Sequence, residues 1–209
     1  MTEISASQVK TLREQTGAGM MECKNALKDA GGDMDKAVEV LRQKGMAAAA
    51  KKSSRAASEG QVVGKVDSTG KQAILLEVNC ETDFVAKNEK FQEFTSELVD
   101  IALKNKIQSA EDLLKYSHNG KLVSEILADK IATIGENLVI RRVSYLELNS
   151  PGIIGLYVHA LGGKMGALVA LESNKELSVD DMSPVARDVA MHIVSAKPQY
   201  LDRSEIPAE

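Results

Sequence analysis

"GKQAILLEVNCETDFVAKNEKF", residues 70–91, contains the change of pattern that decides the fold. Its first half is a short apolar run, Ile74-Leu75-Leu76 and then Val78, entered from a glycine turn. That pattern predicts a buried strand. Its second half turns polar at Asn79, sets Asp83 beside Phe84, and leads into a segment whose apolar residues recur at helical spacing, predicting a helix near 89–104. The chain has only three Phe and no Trp, so a Phe next to a carboxylate beyond a strand end needs a reason.

Just before it, "QVVGKVD" (61–67) and the "STG" turn at 68–70 complete a hairpin with the strand. Helices are expected near 121–134 and, more weakly, 109–116, followed by a third strand in "NLVIRRVSYLEL". After Pro151-Gly152 come "IIGLYVHAL", a Gly-Gly-Lys turn, "KMGALVALE" and a helix near 181–196. These later elements echo the earlier ones. Gly64-x-Val66 matches Gly155-x-Tyr157, "GKQAILLEV" (70–78) matches "GKMGALVAL" (163–171), and "FTSELVDIAL" (94–103) matches "VARDVAMHIV" (185–194). Two β-β-α units, each covering a small antiparallel sheet with helices, are the expected body.

The repeat serves as an internal control. Features that both copies share make the sheet and helix; a feature of one copy needs another explanation. Cys80-Glu81-Thr82-Asp83-Phe84-Val85 faces Ser173-Asn174-Lys175-Glu176-Leu177-Ser178, so the Asp-Phe pair is confined to the first copy. That favours an outward task. The competing reading folds Phe84 under the next helix, with Asp83 accepting backbone hydrogen bonds, and pattern alone favours it because isolated aromatics near strand ends are usually core.

Ahead of the body, residues 1–45 predict three short helices. Ser7 is the expected cap of the first, which carries Val9 and Leu12. "TGAGM" (16–20) is the turn before a second with Met21, Cys23, Leu27 and Ala30 inward. Asp33 is the expected cap of a third, with Met34, Ala37, Val38 and Leu41 inward and Gly45 as its stop. Residues 46–60, rich in Ala, Ser and Lys, read as a linker, helical at its start. The expected domains are therefore 1–45, a linker 46–60, a first subdomain 61–149 and a second 150–209.

Totals exclude several classes. No apolar run approaches the roughly 20 residues of a membrane span. The polar, periodic N-terminus shows no secretion signal, and Cys23 and Cys80 lack metal spacing, so a reducing cytoplasm is expected. The net charge is -4, with 10 Lys/Arg against 8 Asp/Glu in residues 1–60 and 16 against 22 thereafter. A dedicated nucleic-acid binder would show a strong basic surplus. Lys51, Lys52 and Arg55 leave an RNA contact as a minor reading beside that of a solvated linker.

"GKVDSTGKQ" (64–72) imitates a phosphate loop, but it has five residues between its glycines instead of four, and strands on both sides. His118, His159 and His192 are scattered, His192 reading as packed. No nucleophile–base set or metal cluster stands out, so no enzyme, cofactor or metal is expected.

Two stretches, "LREQTGAGMMECKNAL" (12–27) and "EVNCETDFVAK" (77–87), resemble the two signatures of the bacterial elongation factor Ts family. "IGENLVIRR" (134–142), "YVHA" (157–160) and "AMHIVSAKP" (190–198) come after them in family order. The resemblance implies an α+β fold: a ubiquitin-associated-like three-helix head, then two duplicated α/β subdomains with small antiparallel sheets packed by helices, the second incomplete. It implies guanine-nucleotide exchange on the GTPase elongation factor Tu, by protein contact alone, in the cytoplasm, with no nucleic acid or membrane partner. It turns the balance on Phe84, implying that Thr82, Asp83, Phe84 and Val85 reach the partner's magnesium and phosphate site. Ile134, Gly135 and His159 match further contact positions, and Arg13, Met20 and Met21 match those of the head. Of the two methionines, Met21 fits the inner stripe and Met20 is freer to face out. Family members usually continue with a coiled-coil excursion and a last strand and helix. Stopping at "SEIPAE", the chain is expected to lack these, and either is a truncated product or leaves the edge of its second sheet exposed. The alternative function is a protein-binding adaptor that uses the head without exchange activity.

Overall fold

Ser5 opens the first helix, because its hydroxyl accepts from Gln8 N at 3.2 Å while Gln8 Oε1 accepts from Ser5 N at 3.0 Å. This reciprocal capping box places the cap two residues before the expected Ser7, which lies inside the first turn of α1 (Ala6–Thr16). The computed structural model describes residues 4–160, 163–175 and 178–207. Helix α2 (Met20–Asp29) succeeds the glycine turn, and Asp33 caps α3 (Met34–Lys52) by accepting from Lys36 N at 3.0 Å. Val9, Leu12, Cys23, Ala26, Leu27 and Ala37 form the core of the three helices, with Met34, Val40 and Leu41 packed against it. Met21 and Val38, expected inward, are both exposed.

The remaining elements are β1 (Glu59–Val66), β2 (Gln72–Cys80), a single turn α4 (Asp83–Ala86), α5 (Glu89–Lys104), α6 (Ala110–Lys115), the short β3 (Ser117–His118) and β4 (Lys121–Leu122), α7 (Val123–Ile134), β5 (Val139–Glu147), β6 (Gly152–Val158), β7 (Gly166–Glu172) and α8 (Val179–Ala196). They form two compact units, each discontinuous in sequence. The first holds residues up to Glu59, Asn79–Lys87 and Leu114–Val139; the second holds Gly60–Val78, Asn88–Leu113 and the chain from Ile140.

In the first unit α3 does not stop at Gly45, as the sequence suggested, but runs on to Lys52. The alanines at 47–50 are strong helix formers. Gly45 is helical, and a side chain there would meet Asp129 and Ala132 of α7 at 3.5 and 3.7 Å. Arg42 pairs with Glu125 of α7 at 2.7 Å, and Lys52 Nζ donates to the Ile131 carbonyl at 3.3 Å. The first part of the expected linker is thus seated on a helix.

In the second unit β1, β2 and β5 form one sheet in that order. The hairpin turn between β1 and β2 is held by Asp67, whose carboxylate accepts from the Lys71 and Gln72 amides at 2.9 Å each. Residues 64–72 are therefore the end of one strand, a turn at 67–71 and the start of the next. Helix α5 buries Phe91, Phe94, Leu98 and Val99. It is tied to β1 through Lys65–Asp100 at 2.7 Å and a hydrogen bond from Gln61 to Thr95. Strands β6 and β7 pair antiparallel from Gly152↔Glu172 to Val158↔Gly166, and α8 lies on them. Gly155 permits that approach, since a Cβ there would come within 2.2 Å of the Ala186 carbonyl. His192 on α8 is exposed, not packed. Glu176 and Leu177, the repeat's counterparts of Asp83 and Phe84, lie outside the described residues.

No helix among the described residues is long and apolar enough to cross a membrane.

Candidate partner-binding site

Strand β2 ends at Cys80, and two N-caps placed close together shape the next ten residues. Thr82, in extended conformation, caps α4 by accepting from Val85 N at 3.3 Å; Asn88 caps α5 by accepting from Lys90 N at 2.9 Å. One helical turn is therefore isolated between a strand and a long helix. It turns Val85 and Ala86 partly inward and leaves Asp83 and Phe84 facing out. Phe84 is 82 % exposed, whereas Phe91 and Phe94 are fully buried. The reading that folded Phe84 beneath α5 is excluded. Core burial of an aromatic stabilises by roughly 1.5–3 kcal/mol, and here only the other two Phe gain it.

Asp83 is held at the tip by Lys87, whose Nζ donates to Asp83 Oδ2 at 2.7 Å. This hydrogen bond keeps the Asp83 carboxyl below its ordinary range and raises Lys87. Behind the tip, burial and the charge of Glu136 push the Cys80 thiol up to about 11, while Cys80 Sγ donates to the Thr82 carbonyl at 3.1 Å.

The tip is fastened to the end of α7. That helix closes at Gly135, which adopts φ +92° and donates its N–H to the Ile131 carbonyl at 3.0 Å. A left-handed cap of this kind suits glycine. Immediately after it, Glu136 Oε2 accepts from the Glu81 and Thr82 amides, both at 3.0 Å, and Oε1 accepts from the Thr82 hydroxyl at 2.6 Å. Glu81 reciprocates, accepting from Asn137 N at 2.6 Å and lying 3.5 Å from Arg55. Asn137 Nδ2 donates to the Arg55 carbonyl at 2.8 Å. Thr82, the cap of the exposed turn, is thereby bonded to the residue that directly follows Ile134 and Gly135. Glu81, Glu136 and Asn137 fall inside the sequence motifs, yet nothing in the local pattern gives them this role.

Arg13, Met20 and Met21 lie elsewhere in the same unit, around the α1–α2 turn. All three are exposed, Met20 at 58 % and Met21 at 65 %. His159 belongs to the second unit, just beyond β6. It is half-buried there and shares a 2.9 Å hydrogen bond between its Nδ1 and the Tyr157 hydroxyl, while the Arg187 guanidinium lies 5.4 Å from the Tyr157 ring centre.

The family model for elongation factor Ts matches residues 81–209. The elongation factor Ts of a Nitratiruptor species is 47% identical over 206 residues, which is 99% of this chain and 67% of that protein. The chain belongs to the elongation factor Ts family. Two further relatives of that name agree. The one from Magnetococcus marinus is 46% identical over 208 residues, 99% of this chain and 67% of its own length; that of Clostridium kluyveri is 48% identical over 206 residues, 97% and 66%. The chain spans about two thirds of the length of these relatives. Its mixed α and β elements, with small sheets flanked by helices, are compatible with the elongation factor Ts family.

Proposed function

We propose that the protein is a guanine-nucleotide exchange factor that binds elongation factor Tu and promotes GDP release during translation elongation, acting by contact and without covalent chemistry. The observation that carries this reading is the exposure of Phe84 on a braced, acid-bearing turn, in a chain of the elongation factor Ts family. A GTPase holds GDP through backbone donors, a lysine and a magnesium ion whose charge dominates the site. An aromatic wedge stabilises a shifted arrangement of the elements that carry those groups. The neighbouring Asp83 carboxylate competes for their cationic partners. The factor must bind the nucleotide-free form better than the GDP form; linkage then requires GDP to weaken factor binding by the same ratio. Each tenfold weakening takes about 1.4 kcal/mol, within the range of one aromatic anchor.

In this reading Thr82, Asp83, Phe84 and Val85 form the inserting tip, with Ile134, Gly135 and His159 as further contacts. Arg13, Met20 and Met21 dock a ubiquitin-associated-like head on the same partner. The two hairpin-plus-helix arrangements descend from one duplicated unit, and the protein works in the cytoplasm. The exposed methionines of the head also favour a second reading, an adaptor without exchange activity. Stopped-flow release of labelled GDP preloaded on elongation factor Tu separates the two. Acceleration by the wild-type protein supports exchange; binding without acceleration supports the adaptor.

A further inference from the structure

A strand end and a helix end each leave main-chain groups without regular partners. Where β2 ends and α7 ends, two carboxylates meet that need crosswise. Glu136, from the helix end, takes the Glu81 and Thr82 amides and the Thr82 hydroxyl. Glu81, from the strand end, takes the Asn137 amide. Arg55 closes the circuit, facing Glu81 through its guanidinium and Asn137 through its carbonyl. Bonds to a carboxylate acceptor are the stronger class, and those from the Thr82 hydroxyl and the Asn137 amide are short, at 2.6 Å each.

We infer that Glu136 is a positioning residue for exchange. It fixes Thr82–Phe84 to Ile134–Gly135, so that the tip meets its partner already shaped. The inference rests on the exchange reading and adds a residue to it.

Three features separate this role from general support. Glu136 accepts from the Glu81 and Thr82 amides, where β2 gives way to the exposed turn, and it satisfies the hydroxyl that in turn caps α4. Its carboxylate does not belong to the core of the three helices, which is apolar. An exposed Phe84 makes few contacts to hold its own turn in place, so its direction depends on the anchor behind it. Without the anchor, residues 81–83 gain conformers that docking must remove, and affinity falls while the docked state stays the same.

The experiment measures GDP release from elongation factor Tu as a function of factor concentration for wild type, Glu136→Ala and Glu136→Gln. Amide hydrogen exchange at Glu81 and Thr82 is measured on each protein alone. Loss of the anchor predicts that Glu136→Ala raises the half-maximal concentration about tenfold, about 1.4 kcal/mol, while the maximal rate is retained. Its Glu81 and Thr82 amides exchange faster, and those of Leu12 and Leu27 are unchanged. Glu136→Gln, which keeps a carbonyl acceptor for both amides, stays within about twofold of wild type. Three results would overturn the inference: an unchanged half-maximal concentration in Glu136→Ala, a reduced maximal rate at unchanged half-maximal concentration, or wild-type exchange at the two amides. If wild type itself fails to speed GDP release, the exchange reading fails. The amide measurement then still decides whether Glu136 orders the tip.

Discussion

Lys87 reaches back one helical turn to donate to Asp83 Oδ2 at 2.7 Å, so the acid beside the exposed Phe84 is already paired with a cation before any partner arrives. The pairing lowers the Asp83 pKa. A carboxyl depressed in the folded state contributes stability above its unfolded pKa, near 4, and loses it as pH falls through the folded value. An NMR titration of the Asp83 carboxyl carbon should place its midpoint below that of an unpaired aspartate. Lys87→Ala should move it up towards the ordinary range. An unmoved midpoint would mean that the pair does not form in solution.

The contrast between Phe84 and the two buried Phe gives a stability prediction. Phe84→Ala should leave the urea midpoint within the range of a surface substitution, about 0.5 kcal/mol. Phe91→Ala or Phe94→Ala should cost about 3–5 kcal/mol, because each empties a filled core position. Equal losses for Phe84 and Phe91 would show that Phe84 is packed in solution.

Gly155 should tolerate no side chain. A Cβ at that position collides with the Ala186 main chain of α8, and main chain cannot rotate away. Gly155→Ala should lower stability by about 1–3 kcal/mol or more by thermal melting, as an overpacked contact does. Gly120→Ala is a useful comparison: nothing lies within 4 Å of its Cβ position, but its φ of +80° adds strain of its own. Its loss should be the smaller, since strain at a single left-handed residue costs about 1–2 kcal/mol.

The Cys80 thiol, pushed up to about 11, should resist alkylation at pH 8. Mass spectrometry after iodoacetamide treatment should find Cys80 unmodified in the native protein and modified in urea. Rapid native labelling would contradict the burial of the segment behind the tip.

Much of this arrangement was legible in the residues. The period change between Ile74 and Phe91 marks strand, loop and helix, and α5 spans the expected 89–104 because both of its ends carry a plain signal, the Asn88 cap and the last apolar residue, Leu103. Local rules failed where two residues satisfied the same rule. Ser5 and Ser7 can both cap, and only the partnership with Gln8 selects Ser5. Gly45 reads as a stop, yet α7, more than 70 residues on, holds the helix through it. Met21 stands two residues before Cys23, about 200° around the helix, so one of the two had to face out. The role of Glu136 was invisible for a simpler reason: its donors are 54 and 55 residues away, and no local pattern encodes that distance.

The most direct test of the exchange mechanism is the rate of labelled GDP release from preloaded elongation factor Tu with saturating wild-type protein and with Asp83→Ala/Phe84→Ala. Release should be at least tenfold slower with the double variant, whose circular dichroism and melting should match wild type. Release as fast as with wild type would contradict it.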